Sequence, residues 1–262
     1  MDSLMQKGIC KTTLIPMRRE PSEASEMVSQ VLFGETYSII GEVDNWNKIQ
    51  LDYDGYFGWI DSKLVIKIDE PVFFTLNNSK TYITDKLIST ATMKGKAGIF
   101  YLLAGSVLYN LHENIFNIAG TSYQLTFPFV PLTYTQSETI VYSALQFINI
   151  PYLWGGRSSF GIDCSGLVQT ACKIANLKIP RDASQQALEG TLINSIDESK
   201  PADLIFFENI AGRIVHVGIL LSPGKIIHSS GFVHIDPVDN VGIYNQDRQE
   251  YTHKLKIIKR LV

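Results

Sequence analysis

Apolar and polar residues alternate in short runs over the first quarter of the chain, in GICKTTLIPM, SEMVSQVLFG, TYSIIGEV, WNKIQLD and YFGWIDSKLV. A two-residue period belongs to strands with one buried face, and Val43-Asp44-Asn45 and Tyr53-Asp54-Gly55 supply turns between them. A small β-barrel over 1–66 follows. Alternation continues from 67 to 130 in TYITDKLI, GIFYLLAGSVLYNL and NIFNIAGTSYQLTF, without a long helical period, which predicts a second small β domain. Pro128 and Pro131 then break the chain, and in SETIVYSALQFI the spacing of Ile140, Ala144 and Phe147 turns helical behind Ser137 as a candidate N-cap.

The third domain, 131–262, reads differently. A helix, a glycine-rich turn, a helix opened by Cys164 and a short helix after Pro180 precede the strands LIFFEN, RIVHVGILL and KIIHSS. Helices first and strands last predict an α+β domain with an antiparallel sheet, as opposed to a doubly wound alternation.

Composition adds exclusions. With 45% hydrophobic and 19% charged residues, the 262-residue chain is an ordinary folded protein of two or three domains. A net charge of -3 and a pI near 6.0 give no diffuse attraction for nucleic acid or an anionic membrane. No window holds the roughly 20 apolar residues of a membrane helix, and MDSLMQKGICKTTLIPM lacks a basic leader and an apolar core. The expectation is a cytoplasmic protein.

Three cysteines carry the candidate chemistry. Eight residues along one helix separate Cys164 from Cys172 by ~12 Å, beyond disulfide reach. Cys172, among Val168, Ala171 and Ala175, reads as a core residue, as does Cys10 beside Ile9; without CxxC or HxxxH pairs, no structural zinc site is expected. Cys164 stands apart. A thiol in the first turn of a helix meets positive dipole and free N–H groups, which together with a neighbouring imidazole can lower its pKa by about two units. Asp163 is a candidate N-cap, and Gly166 a place where a substrate backbone approaches without meeting a Cβ.

His216 and His228 are candidates for base and orienter. They can meet only on one face of their hairpin. An odd loop centred near Ser222 achieves that, whereas a two-residue Pro223-Gly224 turn separates them unless a bulge intervenes. His112, His234 and His253 lie among polar or turn-forming residues and read as surface histidines, with His234 nearest the candidate site.

The motifs YLWGGRSSFGIDCSGLVQ, IPRDASQQ, PADLIFF and HVGILL followed by IHSSG resemble the NlpC/P60 cysteine peptidases, papain-like enzymes that cut bacterial cell-wall peptides. Over 131–262 the resemblance implies Cys164 as nucleophile, His216 as base, His228 as the residue holding it, and Tyr152 as an oxyanion donor beside the Cys164 N–H. It implies no metal and no organic cofactor. LIPMRREPSEASEMVSQVLFGE with DGYFGWID is similar to the bacterial SH3 domain of γ-D-glutamyl-L-diamino acid endopeptidases, which implies a free N-terminal L-Ala on a murein peptide substrate. Asp182, Asp163, Ser165 and Tyr56 would then surround the substrate ammonium. The 67–130 segment is taken as a second SH3-like domain from its strand pattern. Ala202 stands where the family usually has glycine. A secreted hydrolase of intact wall and a non-catalytic wall-peptide-binding module are the rival expectations.

Overall fold

The computed structural model describes residues 5–262; the first four residues, part of the expected 1–66 domain, lie outside the described residues. The chain divides into two compact units, Met1–Pro131 and Leu132–Val262.

In the first unit, short strands between Lys7 and Ile68 form one antiparallel seven-stranded sheet, which Lys67–Ile68 joins by pairing with Lys7 and Gly8. Ile15, Met17, Val31, Tyr37, Ile49 and Ile60 fill its core. The segment after it is less independent than its strand pattern suggests. It opens with a short helix, Glu70–Asn77, which starts where the Asp69 side chain accepts from the Val72 N–H and proline occupies the first turn. Its strands form a four-stranded and a two-stranded sheet. Their core of Leu102, Phe116, Ile118 and Tyr123 is completed by Ile9 and Phe33 of the preceding sheet, with Phe33 edge-on to both aromatic rings. The two β segments therefore share one hydrophobic core.

The second unit has the predicted order. The helix Gln136–Gln146 is capped two residues earlier than expected, by Thr135, because Glu138 reaches back to the Thr135 N–H and completes a capping box that Ser137 cannot make. The helix Cys164–Ile174 is buried along all but its last residue and packs against Gln136–Gln146 and against the strand Ile214–Ser222. The strands run Thr191–Ile193, Glu250–Arg260, Leu204–Glu208, Ile214–Ser222, Lys225–Ser230 and Phe232–Pro237 across an antiparallel sheet, with Gly242–Asn245 paired to Glu250–Arg260. Together with the two small β segments, this is an α+β architecture.

Candidate active site

The nucleophile is placed by a loop and a helix cap. Asp163 is the N-cap of the Cys164 helix: its Oδ1 accepts from the Gly166 N–H at 2.7 Å, so Cys164 occupies the first helical position. The rest of that carboxylate is equally engaged. It accepts from the Gly155 N–H at 2.8 Å, from the Ser165 hydroxyl at 3.3 Å, and from both terminal nitrogens of Arg181, which also donates to Ser165 Oγ at 2.8 Å. Arg181 and Asp163 are 2% and 4% exposed. This is a buried bidentate pair that fastens the glycine loop to the helix start, and Arg181 was not among the expected site residues. Its signal was adjacency to Asp182 in IPRDASQQ.

Gly166 has a different purpose from the one expected. A Cβ there would sit 2.2 Å from the Gly156 carbonyl oxygen, so the missing side chain admits the protein's own loop and not a substrate. Asp182 stands at the N-cap of the short helix Ala183–Gln186 but makes no capping bond, which removes the helix cap as its role. Tyr56 belongs to the first unit, where its ring packs on the barrel core and beside Phe57.

The base arrives on the hairpin, and the register resolves the parity condition. Ser222 pairs with Lys225 around a two-residue Pro223-Gly224 turn, which alone would put the histidines on opposite faces. Leu221 is bulged out, so from Leu220 onward the register shifts by one and Gly218 faces His228. His216, two residues from Gly218, thereby lies on the His228 face. Gly218 presents no side chain between them, and His216 Nε2 meets His228 Nδ1 at 2.9 Å.

The chain of hydrogen bonds continues beyond His228. His228 Nε2 lies 3.2 Å from Asp236 Oδ2. Burial raises the Asp236 pKa, but hydrogen bonds and charges from His228 and His234 outweigh it and hold the carboxyl below its ordinary value, so it is ionised and only accepts. The tautomers then follow. His228 carries its proton on Nε2 and presents the Nδ1 lone pair, so His216 must donate from Nε2, and the His216 Nδ1 lone pair is left as the base. Asp236 is the second site residue that sequence reasoning missed; its signal was the strand spacing of VHID beside the histidine hairpin. His234, read as a surface residue, also contacts Asp236 Oδ2, at 3.1 Å, and His253 stacks on His216 with ring centroids 4.2 Å apart.

The Cys164 sulfur accepts from the Val217 and Ser165 backbone N–H groups, which holds it against the strand residue next to His216. Burial, followed by the Asp163 charge, nevertheless pushes the thiol up to about 12, and burial with its histidine neighbours drives His216 well below its usual value. The expected lowering of the thiol pKa is overturned: desolvation exceeds the help of the helix terminus. Burial thus works against the charged form of both groups. Burial, then the Cys164 and Asp163 charges, also raise the Tyr152 pKa, so its phenol remains a donor. The Cys164 N–H is one of the orphan donors of the helix's first turn.

Residues 149–253 match the NlpC/P60 family and residues 17–64 the bacterial dipeptidyl-peptidase SH3 domain. A gamma-D-glutamyl-L-lysine dipeptidyl-peptidase of Bacillus subtilis is 29% identical over 77% of this chain and 71% of its own. Dipeptidyl-peptidase 6 of Lysinibacillus sphaericus is 28% identical over 87% of this chain and 90% of its own. A crystal structure of an NlpC/P60 family protein from Bacillus cereus shares the fold over 97% of this chain and 99% of that one, with a TM-score of 0.82 at 18% identity. A helix-borne thiol, a hairpin-borne histidine pair and these matches identify a cysteine peptidase with an NlpC/P60 domain over residues 149–253 and a bacterial dipeptidyl-peptidase SH3 domain over residues 17–64.

Proposed function

We propose that this peptidase cleaves the bond between the γ-carboxyl of D-Glu and the diamino acid in murein peptides that begin with a free L-Ala, as a step of cell-wall peptide recycling in the cytoplasm. The observation that carries the reaction is the directed chain from His216 to Asp236, which leaves one proton-accepting nitrogen on the strand that holds the thiol. His216 Nδ1 takes the Cys164 proton as sulfur attacks the γ-carbonyl, because burial opposes ionising either group beforehand. The Cys164 N–H and the Tyr152 hydroxyl stabilise the oxyanion. The imidazolium returns its proton to the leaving amine, and water deprotonated by the same nitrogen releases the acyl group from the thioester.

For the free amine, Asp182 takes the leading role in this reading. Asp163 and Ser165 support it indirectly, since their oxygens already serve Arg181. The bond class is supported by the name of the Bacillus subtilis relative, a gamma-D-glutamyl-L-lysine dipeptidyl-peptidase. The test is hydrolysis of L-Ala-γ-D-Glu-meso-diaminopimelate, its L-Lys counterpart, the N-acetylated peptides and intact sacculi, beside Cys164→Ala. Cleavage of the free peptides alone is expected. Equal cleavage of blocked peptides, or efficient release from sacculi, would overturn the recycling role and favour a secreted hydrolase. Activity persisting in Cys164→Ala would overturn the mechanism.

A further inference from the structure

Strand geometry brings together three groups whose sequence spacing matches no helical metal motif. His228 and His234 are directly opposed residues of the antiparallel pair Lys225–Ser230 and Phe232–Pro237, and Asp236 lies two residues beyond His234 on the same face. One ligand atom from each converges within 4.8 Å. Asp236 Oδ2 is 3.2 Å from His228 Nε2 and 3.1 Å from His234 Nε2. Tetrahedral zinc with ligands at ~2.0–2.1 Å has edges of ~3.3 Å, so two edges already match and the third needs at most ~1.5 Å of closure.

The proton count at His234 calls for a cation. Its Nδ1 lies 2.8 Å from the Phe232 carbonyl oxygen and its Nε2 faces the Asp236 carboxylate. Both partners only accept, and a neutral imidazole has a single proton. A second proton satisfies both nitrogens; without it the Nε2 lone pair points at an anionic oxygen, and a metal cation there takes that proton's place. A metal-bound histidine usually has its other N–H held in this way, by a backbone carbonyl.

We propose that His228 Nε2, His234 Nε2 and Asp236 Oδ2 form a site for a zinc-like divalent cation that reversibly inhibits the peptidase. The side chains of His234 and Asp236 are 21% and 14% exposed, which gives the ion an entry path and a fourth position for water. Inhibition follows from the tautomers. A cation on His228 Nε2 moves that residue's proton to Nδ1, where it donates to His216 Nε2. The His216 proton must then sit on Nδ1, so the lone pair that accepts from Cys164 is gone. No proton is gained or lost; both imidazoles exchange tautomers. The inhibitory consequence rests on His216 being the base, whereas binding itself does not.

Metal-free, full-length Cys164→Ala titrated with Co2+ separates the two. One equivalent with the visible d–d bands of tetrahedral cobalt is expected; absence of binding overturns the site and points to a thiolate ligand. In that background His234→Asn weakens Co2+ at least tenfold, and Asp236→Asn is the second variant read in the same way. Unchanged affinity in both overturns the ligand set, as would an equal loss in His253→Asn. In the active chain, Zn2+ inhibits, a chelator restores activity, and the half-inhibiting concentration rises at least tenfold in His234→Asn. Inhibition at the original concentration in that variant overturns the mechanism even if cobalt binds.

Discussion

The two halves of the active site are held by different physics. The loop from Tyr152 to Gly166 is fixed by a buried charge pair and by a backbone approach that only glycine permits. The hairpin from Ile214 to Pro237 is fixed by register, and its function by the direction of a proton chain. Damage to the first half costs stability, whereas damage to the second costs turnover with the fold intact.

The strongest way to break that contrast is at Arg181. Arg181→Gln strands an ionised Asp163 in a buried site, which costs about 3–5 kcal/mol. Urea denaturation reads this directly, and adding Asp163→Asn recovers part of the loss because the unpaired charge is gone. A smaller stability loss of about 1–3 kcal/mol is expected for Gly166→Ala, whose methyl must displace the Gly156 carbonyl. Neither change acts through the base. If either left stability unchanged while abolishing kcat, the loop would belong to the proton machinery and the contrast would fail.

Asp236→Asn tests the other half. The amide donates where the carboxylate accepted, reverses the His228 tautomer and removes the His216 lone pair. We expect kcat to fall about 10–100-fold with little change in KM or melting temperature. An equal rise in KM would mean that Asp236 touches substrate. The smallest effects are in pH. Burial keeps His216 and His228 below the ordinary histidine value, and His253 is lowered to about 4. The unfolded chain therefore binds more protons below pH ~6.5, and stability falls with decreasing pH by up to ~1.4 kcal/mol per pH unit for each buried imidazole. The melting temperature should drop from pH 7 to 5, less steeply in His253→Asn. Alkylation of Cys164, with Cys164→Ala as blank, should keep rising through pH 9 because the thiol titrates near 12. A plateau below pH 7 would indicate a preformed ion pair.

What was legible in the sequence divides along the same line. Local signals were sufficient for Cys164 at a helix start, for Asp163 as its cap and for the three strands that carry and flank the histidines. Parity was legible only as a condition, because a bulge at Leu221 leaves no mark in residue types. Arg181 and Asp236 were missed for a common reason: each acts on a partner eight or more residues away, across a register or through a buried pair that adjacency does not reveal. The thiol pKa was misjudged because burial is a tertiary property, and it reverses what a helix terminus alone would do. The shared core of the two β segments is also tertiary, since Phe33 looks like any barrel residue until it meets Phe116 and Tyr123.

The bulge at Leu221 has a consequence for insertions and deletions. Turn length and bulge jointly set the phase of His216 against His228, so the hairpin tip tolerates only those changes of length that keep Leu220 opposite Ile226. Deleting Leu221 alone would remove the bulge and leave a regular hairpin in which Gly218 still faces His228, whereas straightening the strand so that Leu221 pairs with Ile226 would turn the histidines to opposite faces and silence the enzyme.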